Sequence, residues 1–169
     1  GLSNPVVGRT IEDKNGNLWI GTEGGGLNYY NRRTREFKWY RPQEGRNSIS
    51  HNNVKALYYD ADKEIIWIGT HLGGLNKLDI RSGHFTHYRM EGNNPQSLPS
   101  DIIRDITPYK DLLIIATQNG VCLFNPANGQ CRQLFKDSKE GKSIKMVADV
   151  VFDSEGTLWI AATGEGVFS

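Results

Sequence analysis

Leu18-Trp19-Ile20-Gly21-Thr22, Ile66-Trp67-Ile68-Gly69-Thr70, Leu113-Ile114-Ile115-Ala116-Thr117 and Leu158-Trp159-Ile160-Ala161-Ala162-Thr163 are one string written four times. The anchors Trp19, Trp67, Ile114 and Trp159 stand 48, 47 and 45 residues apart. Self-similarity at a period of this size marks a repeat architecture, in which each unit buries its apolar face against its neighbours. Other features keep step with the anchor. Asp13, Asp60, Tyr109 and Asp153 precede it at the turns, and Gly26-Leu27, Gly74-Leu75, Gly120-Val121 and Gly166-Val167 follow it. Further on, Phe37 and Tyr40, Phe85 and Tyr88, and Cys131 and Leu134 hold equivalent places. The stretches between units also correspond, Asn47 to Val54 against Gln96 to Ile103.

Within a unit the apolar runs are short, rich in β-branched and aromatic residues, and bounded by Gly, Asn, Asp and Pro. That is strand chemistry with turn punctuation, and no segment carries a sustained helical period. The second unit predicts strands at 54–60, 65–70, 74–79 and 84–89, joined by connections of hairpin length, so that neighbours pair antiparallel. A four-stranded antiparallel unit repeated in tandem is a propeller blade. The expected fold is therefore all-β, a partial β-propeller of three complete blades plus most of a fourth. The blades fall near residues 6–52, 53–101, 102–146 and 147–169, with fifteen strands in all and the Trp-bearing strand second in each.

Composition agrees. The 19 glycines in 169 residues are about 11% of the chain, against an average near 7%, as many short turns require. With 20 Lys and Arg against 19 Asp and Glu, the chain lacks the basic excess that captures nucleic acid. It also lacks an apolar run long enough for a membrane helix, and its N-terminus does not read as an export signal, so no membrane contact is expected of this segment. Cys122 and Cys131 are too few for a disulfide scaffold, and their diagonal placement about the turn 125–129 predicts free thiols.

The pattern V-x-x-I-x-x-D-x-x-G-x-L-W-I-G-T-x-x-G-G-L, followed by F-x-x-Y and S-L-x-x-N-x-V, resembles the two-component regulator propeller repeat. The second unit carries it best, through Val54, Leu57, Asp60, Trp67, Ile68, Gly69, Thr70, Gly73, Gly74, Leu75, Phe85 and Tyr88. The others depart at Thr10, at Tyr109 and Ile114, and at Ala161-Ala162. The resemblance implies the periplasmic sensor region of a hybrid two-component histidine kinase of Bacteroidetes type, which senses glycans or their breakdown products. It also implies further blades of the parent receptor as partners, and signalling modules that lie outside this chain.

Individual residues add little catalytic chemistry. The repeated Trp19, Trp67 and Trp159 read as packing between blades, because a position filled alike in each unit is usually core. Trp39 falls where the next units have His87 and Gln133, which makes it a candidate exposed contact. The glycines of 21–26, 71–74 and 163–166 lead into strands rather than helices, so they are turn and bulge glycines rather than a phosphate cradle. His51, His71, His84 and His87 are not spaced as metal ligands, one carboxylate per turn is far short of a calcium shell, and no metal or cofactor is expected. Glu23 and Glu165 sit in comparable loops of blades one and four, too distant to act as a glycosidase pair. Ser48, Ser97 and Ser143 recur in the loops between blades and read as structural.

A ligand surface should form from the loops after the second strand and before the first, which share one face of a propeller. The candidates are Glu23, His71, Gln118, Asn119 and Glu165 with His51 and Asn94 beside them, and Trp39 on the outer strand. Their chemistry suits an oligosaccharide or other small ligand. The alternatives are a purely structural or dimerising segment with the ligand bound elsewhere, and a propeller glycosidase or lyase. Fewer than four blades leave apolar faces open, so the chain is also expected to pair as a homodimer, with Leu2 to Val6 of one copy added beside the last strand of the other.

Overall fold

The computed structural model describes residues 1–135 and 144–169, and Ser143 lies outside the described residues. Blade one is β1 (Val7–Glu12), β2 (Leu18–Thr22), β3 (Leu27–Asn31) and β4 (Glu36–Tyr40). Blade two is β5 (Val54–Asp60), β6 (Ile65–Thr70), β7 (Leu75–Asp79) and β8 (Phe85–Tyr88). Blade three is β9 (Ile103–Tyr109), β10 (Leu112–Thr117), β11 (Gly120–Asn125) and β12 (Gln130–Leu134). Blade four contributes β13 (Val147–Phe152), β14 (Leu158–Ala162) and β15 (Gly166–Phe168). Each blade is its own antiparallel sheet with strands in sequence order, so the fifteen strands of the described residues fall as the repeat predicts.

The core lies between blades rather than within them. Trp19 packs with Leu57, Ile66, Leu78 and Phe85 of blade two, and Trp67 packs with Leu113, Ile115 and Phe124 of blade three. Ile114 stands in the same relation to Val147, Val150 and Ile160 of blade four. Each anchor thus fills the gap to the following blade. Trp19 and Trp67 are 1% exposed, whereas Trp159, which meets no following blade among the described residues, is 40% exposed.

Close approach explains the Gly of the anchor string. A Cβ on Gly69 would lie 2.5 Å from Ile103 Cγ2, and one on Gly21 would lie 2.6 Å from Val54 Cγ1. In blade two the second Gly of the following loop is conformational as well as steric. Gly74 has φ 71°, and its Cβ would run into the Tyr88 carbonyl.

The segments between blades are ties. Ser50 N donates to Asn76 Oδ1 at 2.9 Å, and Asn76 Nδ2 donates to Ser50 Oγ at 2.7 Å. The N-terminus repeats this, with Ser3 N to Asn28 Oδ1 and Asn28 Nδ2 to Ser3 Oγ, both 2.8 Å. Leu2 to Val6 is therefore a third copy of the linker, equivalent to Ile49 to Asn53. The structure engages it in the chain's own first blade, which competes with its donation to another copy. In blade three Cys122 occupies the Asn position. Cys122 faces Gln133, and Cys131 faces Phe124, the diagonal arrangement expected; both thiols are free and buried. A hydrogen bond with the adjoining Cys131, and then burial, push the Cys122 thiol well up.

Candidate functional site

The inner strand of every blade carries a β-bulge at the same place. Val54 pairs with Thr70 and Ala56 with Gly69, leaving Lys55 out of the ladder; Arg104 and Ala148 are left out alike, and in blade one Gly8 and Arg9 stand opposite a single residue. A bulge re-aims a side chain without ending the sheet. Here it turns Lys55 and Arg104 toward the loops that follow the second strands.

Those loops are built alike. Thr22, Thr70 and Thr117 close them by donating Oγ1 to the carbonyls of Gly26, Gly74 and Gly120 at 2.9, 2.9 and 2.8 Å. The next residue docks on the preceding linker: Glu23 N on Val6 O, His71 N on Asn53 O, Gln118 N on Ile102 O and Thr163 N on Met146 O, at 2.9–3.0 Å. The blade-four counterpart of Glu23 is therefore Thr163, and Glu165 lies two residues farther along its hairpin.

Glu23, His71 and Gln118 thus border one end of the inner strands. The Lys55 ammonium pairs with Glu23 and holds its carboxyl below the usual range. Arg104 Nη2 donates to Gln118 Oε1 at 3.4 Å. His51 Nδ1 accepts from Asn53 N at 3.0 Å, and burial, with His71 as the next cause, pushes its imidazole down. His71 Nδ1 is buried without a partner among the described residues.

Deeper along the inner strands, Arg9 reaches Asp105 Oδ1 of blade three at 3.4 Å and Asp149 Oδ1 of blade four at 4.0 Å. Thr107 Oγ1 donates to Asp105 Oδ2 at 3.0 Å. Asp105 is buried, and its carboxyl is pushed up chiefly by that burial and further by Asp149, against the Thr107 bond and the Arg9 charge. The sequence reading missed these inner-strand charges. The available signal was a charged residue one or two places after the linker in every unit.

The remaining candidates lie elsewhere. Asn119 flanks the blade-three loop and donates Nδ2 to Pro99 O at 3.4 Å. Asn94 lines a separate cleft with His87, Glu91 and Gln130, where its Nδ2 donates to Glu91 Oε2 at 3.0 Å. Trp39 is half exposed on β4 and donates Nε1 to Gly1 O at 3.0 Å; His87 Nε2 meets Ser48 O at 2.7 Å in the equivalent way. Two unlike side chains at one repeat position perform the same tie to the linker.

A family described as two component regulator propeller matches residues 1–24 and 48–71, each stretch a linker with the first two strands of its blade. No curated protein matches the chain. The extracellular domain of BT3049 from B. thetaiotaomicron, named as a hybrid two component system, superposes with TM-score 0.88 at 27% identity, over 99% of this chain and 23% of that one. The extracellular domain of BT4673 from the same organism, named in one structure as a hybrid two component system, gives 0.75 at 26% identity, over 99% and 23%. A second structure of it, named as a one component system, gives 0.76 at 23% identity, over 99% and 24%. The chain spans about a quarter of the length of these domains. With a linker and the first two strands of a blade matched in two units, residues 1–24 and 48–71 are similar to the two component regulator propeller repeat, and the chain superposes over nearly its whole length on a domain of a hybrid two component system.

Proposed function

We propose that this segment belongs to the periplasmic sensor region of a hybrid two-component histidine kinase and recognises a glycan-derived ligand at the loop-bearing end of its inner strands, without catalysis. The observation that supports this is the repeated bulge, which sends Lys55 and Arg104 to the same loops as Glu23, His71 and Gln118. Charged donors, an amide, a carboxylate and the unpartnered His71 Nδ1 suit a ligand dense in hydroxyl groups.

The test is titration of the chain with a panel of oligosaccharides, with amide exchange mapped afterwards. Protection at 22–26, 70–74 and 117–120, lost in a Lys55→Ala, Arg104→Ala double variant, is the expected result. Release of shorter sugars would replace sensing by hydrolysis, with Asp105 and Asp149 as the acids to examine.

A second reading, a spacing and dimerising segment, is favoured by the open side of blade four. Val151, Trp159 and Val167 are all exposed there, and a neighbouring blade from the parent receptor or from a second copy would cover them. Absence of protection on the loop face, with protection confined to blade four on self-association, is its signature.

A further inference from the structure

Trp67 differs from its repeat partners in what its indole N–H meets. Trp19 Nε1 donates to Asp13 Oδ2 at 3.1 Å and Trp159 Nε1 to Asp153 Oδ2 at 2.7 Å. In blade two the turn is one residue longer, and Asp60 is taken up by Lys63, through its backbone N at 3.2 Å and its Nζ at 3.1 Å. No described residue accepts from Trp67 Nε1. The side chain is 1% exposed, with Tyr88 and Phe124 packed on its ring at centroid distances of 6.0 and 5.5 Å. Trp67 is among the residues lining a cleft of about 410 Å³ between blades two and three, on the side of the β5–β6 turn.

That volume lies in the range of small-molecule sites, which are mostly apolar with a few convergent polar groups. Ile65, Leu112 and Pro126 supply apolar wall. Lys77, Asp111 and Asn125 supply an ammonium, a carboxylate and an amide. Neither Lys77 nor Asp111 is in an ion pair among the described residues, and the two charges balance. An anion would meet Asp111, a cation would meet Lys77, and a purely apolar ligand would leave the indole N–H unsatisfied, which costs about 1–3 kcal/mol.

We infer that the blade two–three cleft is a second ligand site, distinct from the loop face, that takes a neutral polyhydroxylated molecule of mono- or disaccharide size, anchored by a hydrogen bond from Trp67 Nε1 to a ligand oxygen. A pyranose ring fits this chemistry. Its C–H face meets Leu112 and Pro126, and its hydroxyls both accept from Lys77 and Asn125 and donate to Asp111.

The four tryptophans give four indole N–H resonances, and one of them reports the site. Titration with methyl β-D-glucopyranoside and with cellobiose should shift the Trp67 indole saturably and leave Trp19 and Trp159 in place. Glucuronate should bind less tightly than either. Lys77→Ala, a surface change that leaves the core intact, should weaken binding about tenfold, the usual worth of one hydrogen bond to a charged group. Replacing residues 60–65 by the sequence of 13–17 should restore the Asp–indole bond and abolish the shift. No saturable Trp67 shift with either neutral sugar overturns the inference, as does tighter binding of glucuronate or unchanged binding after the turn exchange. Shifts confined to the loops of Glu23 and His71 would sink the cleft while supporting the loop face, so the two readings fail separately.

Discussion

Trp19 donates its indole N–H to Asp13, six residues earlier, at 3.1 Å, and the same carboxylate accepts from Asn15 N at 2.9 Å and Asn17 N at 3.0 Å. One buried acid therefore shapes the first turn and satisfies the largest side chain of the core. Where the repeat loses the acid it also loses the indole, with Tyr109 and Ile114 in blade three joined by a two-residue hairpin. Asp13→Ala should cost about 2–3 kcal/mol, because it strands a buried N–H together with two turn amides. Asp60→Ala, whose bonds are exposed, should cost under about 1 kcal/mol. Urea midpoints of the two variants check this, and equal losses would refute it.

Gly69→Ala should destabilise the chain by about 1–3 kcal/mol, since the added methyl meets the β-branched Ile103 and the Ala56 methyl with no flexible group to yield. Ile103→Ala should be less damaging in the Gly69→Ala background than in the parent chain. A double-mutant cycle reads that coupling, and strict additivity would show that blades two and three do not meet at this point.

The Asp105 carboxyl should titrate above the ordinary aspartate value, near 3.9, because burial dominates its surroundings. The sign follows from linkage. A carboxyl whose folded pKa is raised holds its proton more readily folded than unfolded, so its ionised form lowers stability at neutral pH. That deficit is relieved as pH falls through the folded value. Removing the Arg9 charge with Arg9→Met should raise the midpoint further. Carboxyl carbon shifts measured against pH decide it, and a midpoint at or below the ordinary value would falsify the burial account.

At the open side of blade four, Val167 is 66% and Val151 57% exposed beside Trp159. The chain by itself should pair with a second copy through this face, and Val167→Lys should yield a folded monomer. Light scattering across a concentration series reads both. A monomer throughout, with the red-shifted emission of a wetted Trp159, would remove the proposed pairing.

The blades were legible because Trp19, Trp67 and Trp159 recur in register with Gly and Asp, and packing between blades imposes that register directly. The N-terminal linker was not, since Leu2-Ser3-Asn4-Pro5 shares only its apolar-Ser pair with Ile49-Ser50-His51-Asn52, while the hydrogen bonds it makes are the same. Trp39 and His87 hid their common role because a ring N–H is what the linker carbonyl requires and residue type is secondary. The bulges left no trace either. An extra residue present in every unit changes no spacing, so the charge that each unit carries after its linker, as at Lys55, Arg104 and the Arg9–Asp105 pair, was visible in the sequence while its turn out of the ladder was not. The loops were placed on the correct face, but which side chains converge there depends on that hidden insertion.

The bulge also bears on how such a domain diversifies. Gly8, Lys55, Arg104 and Ala148 stand at one backbone position that is unpaired whatever side chain it carries. Lys55, Arg104 and Ala148 can each be exchanged without disturbing a ladder or a core cluster, whereas a Cβ at Gly8 would lie 3.2 Å from the Val54 carbonyl oxygen. These three positions behave as independent dials on a fixed instrument, so that drift at a handful of codons retunes what the mouth of the propeller attracts while folding remains untouched.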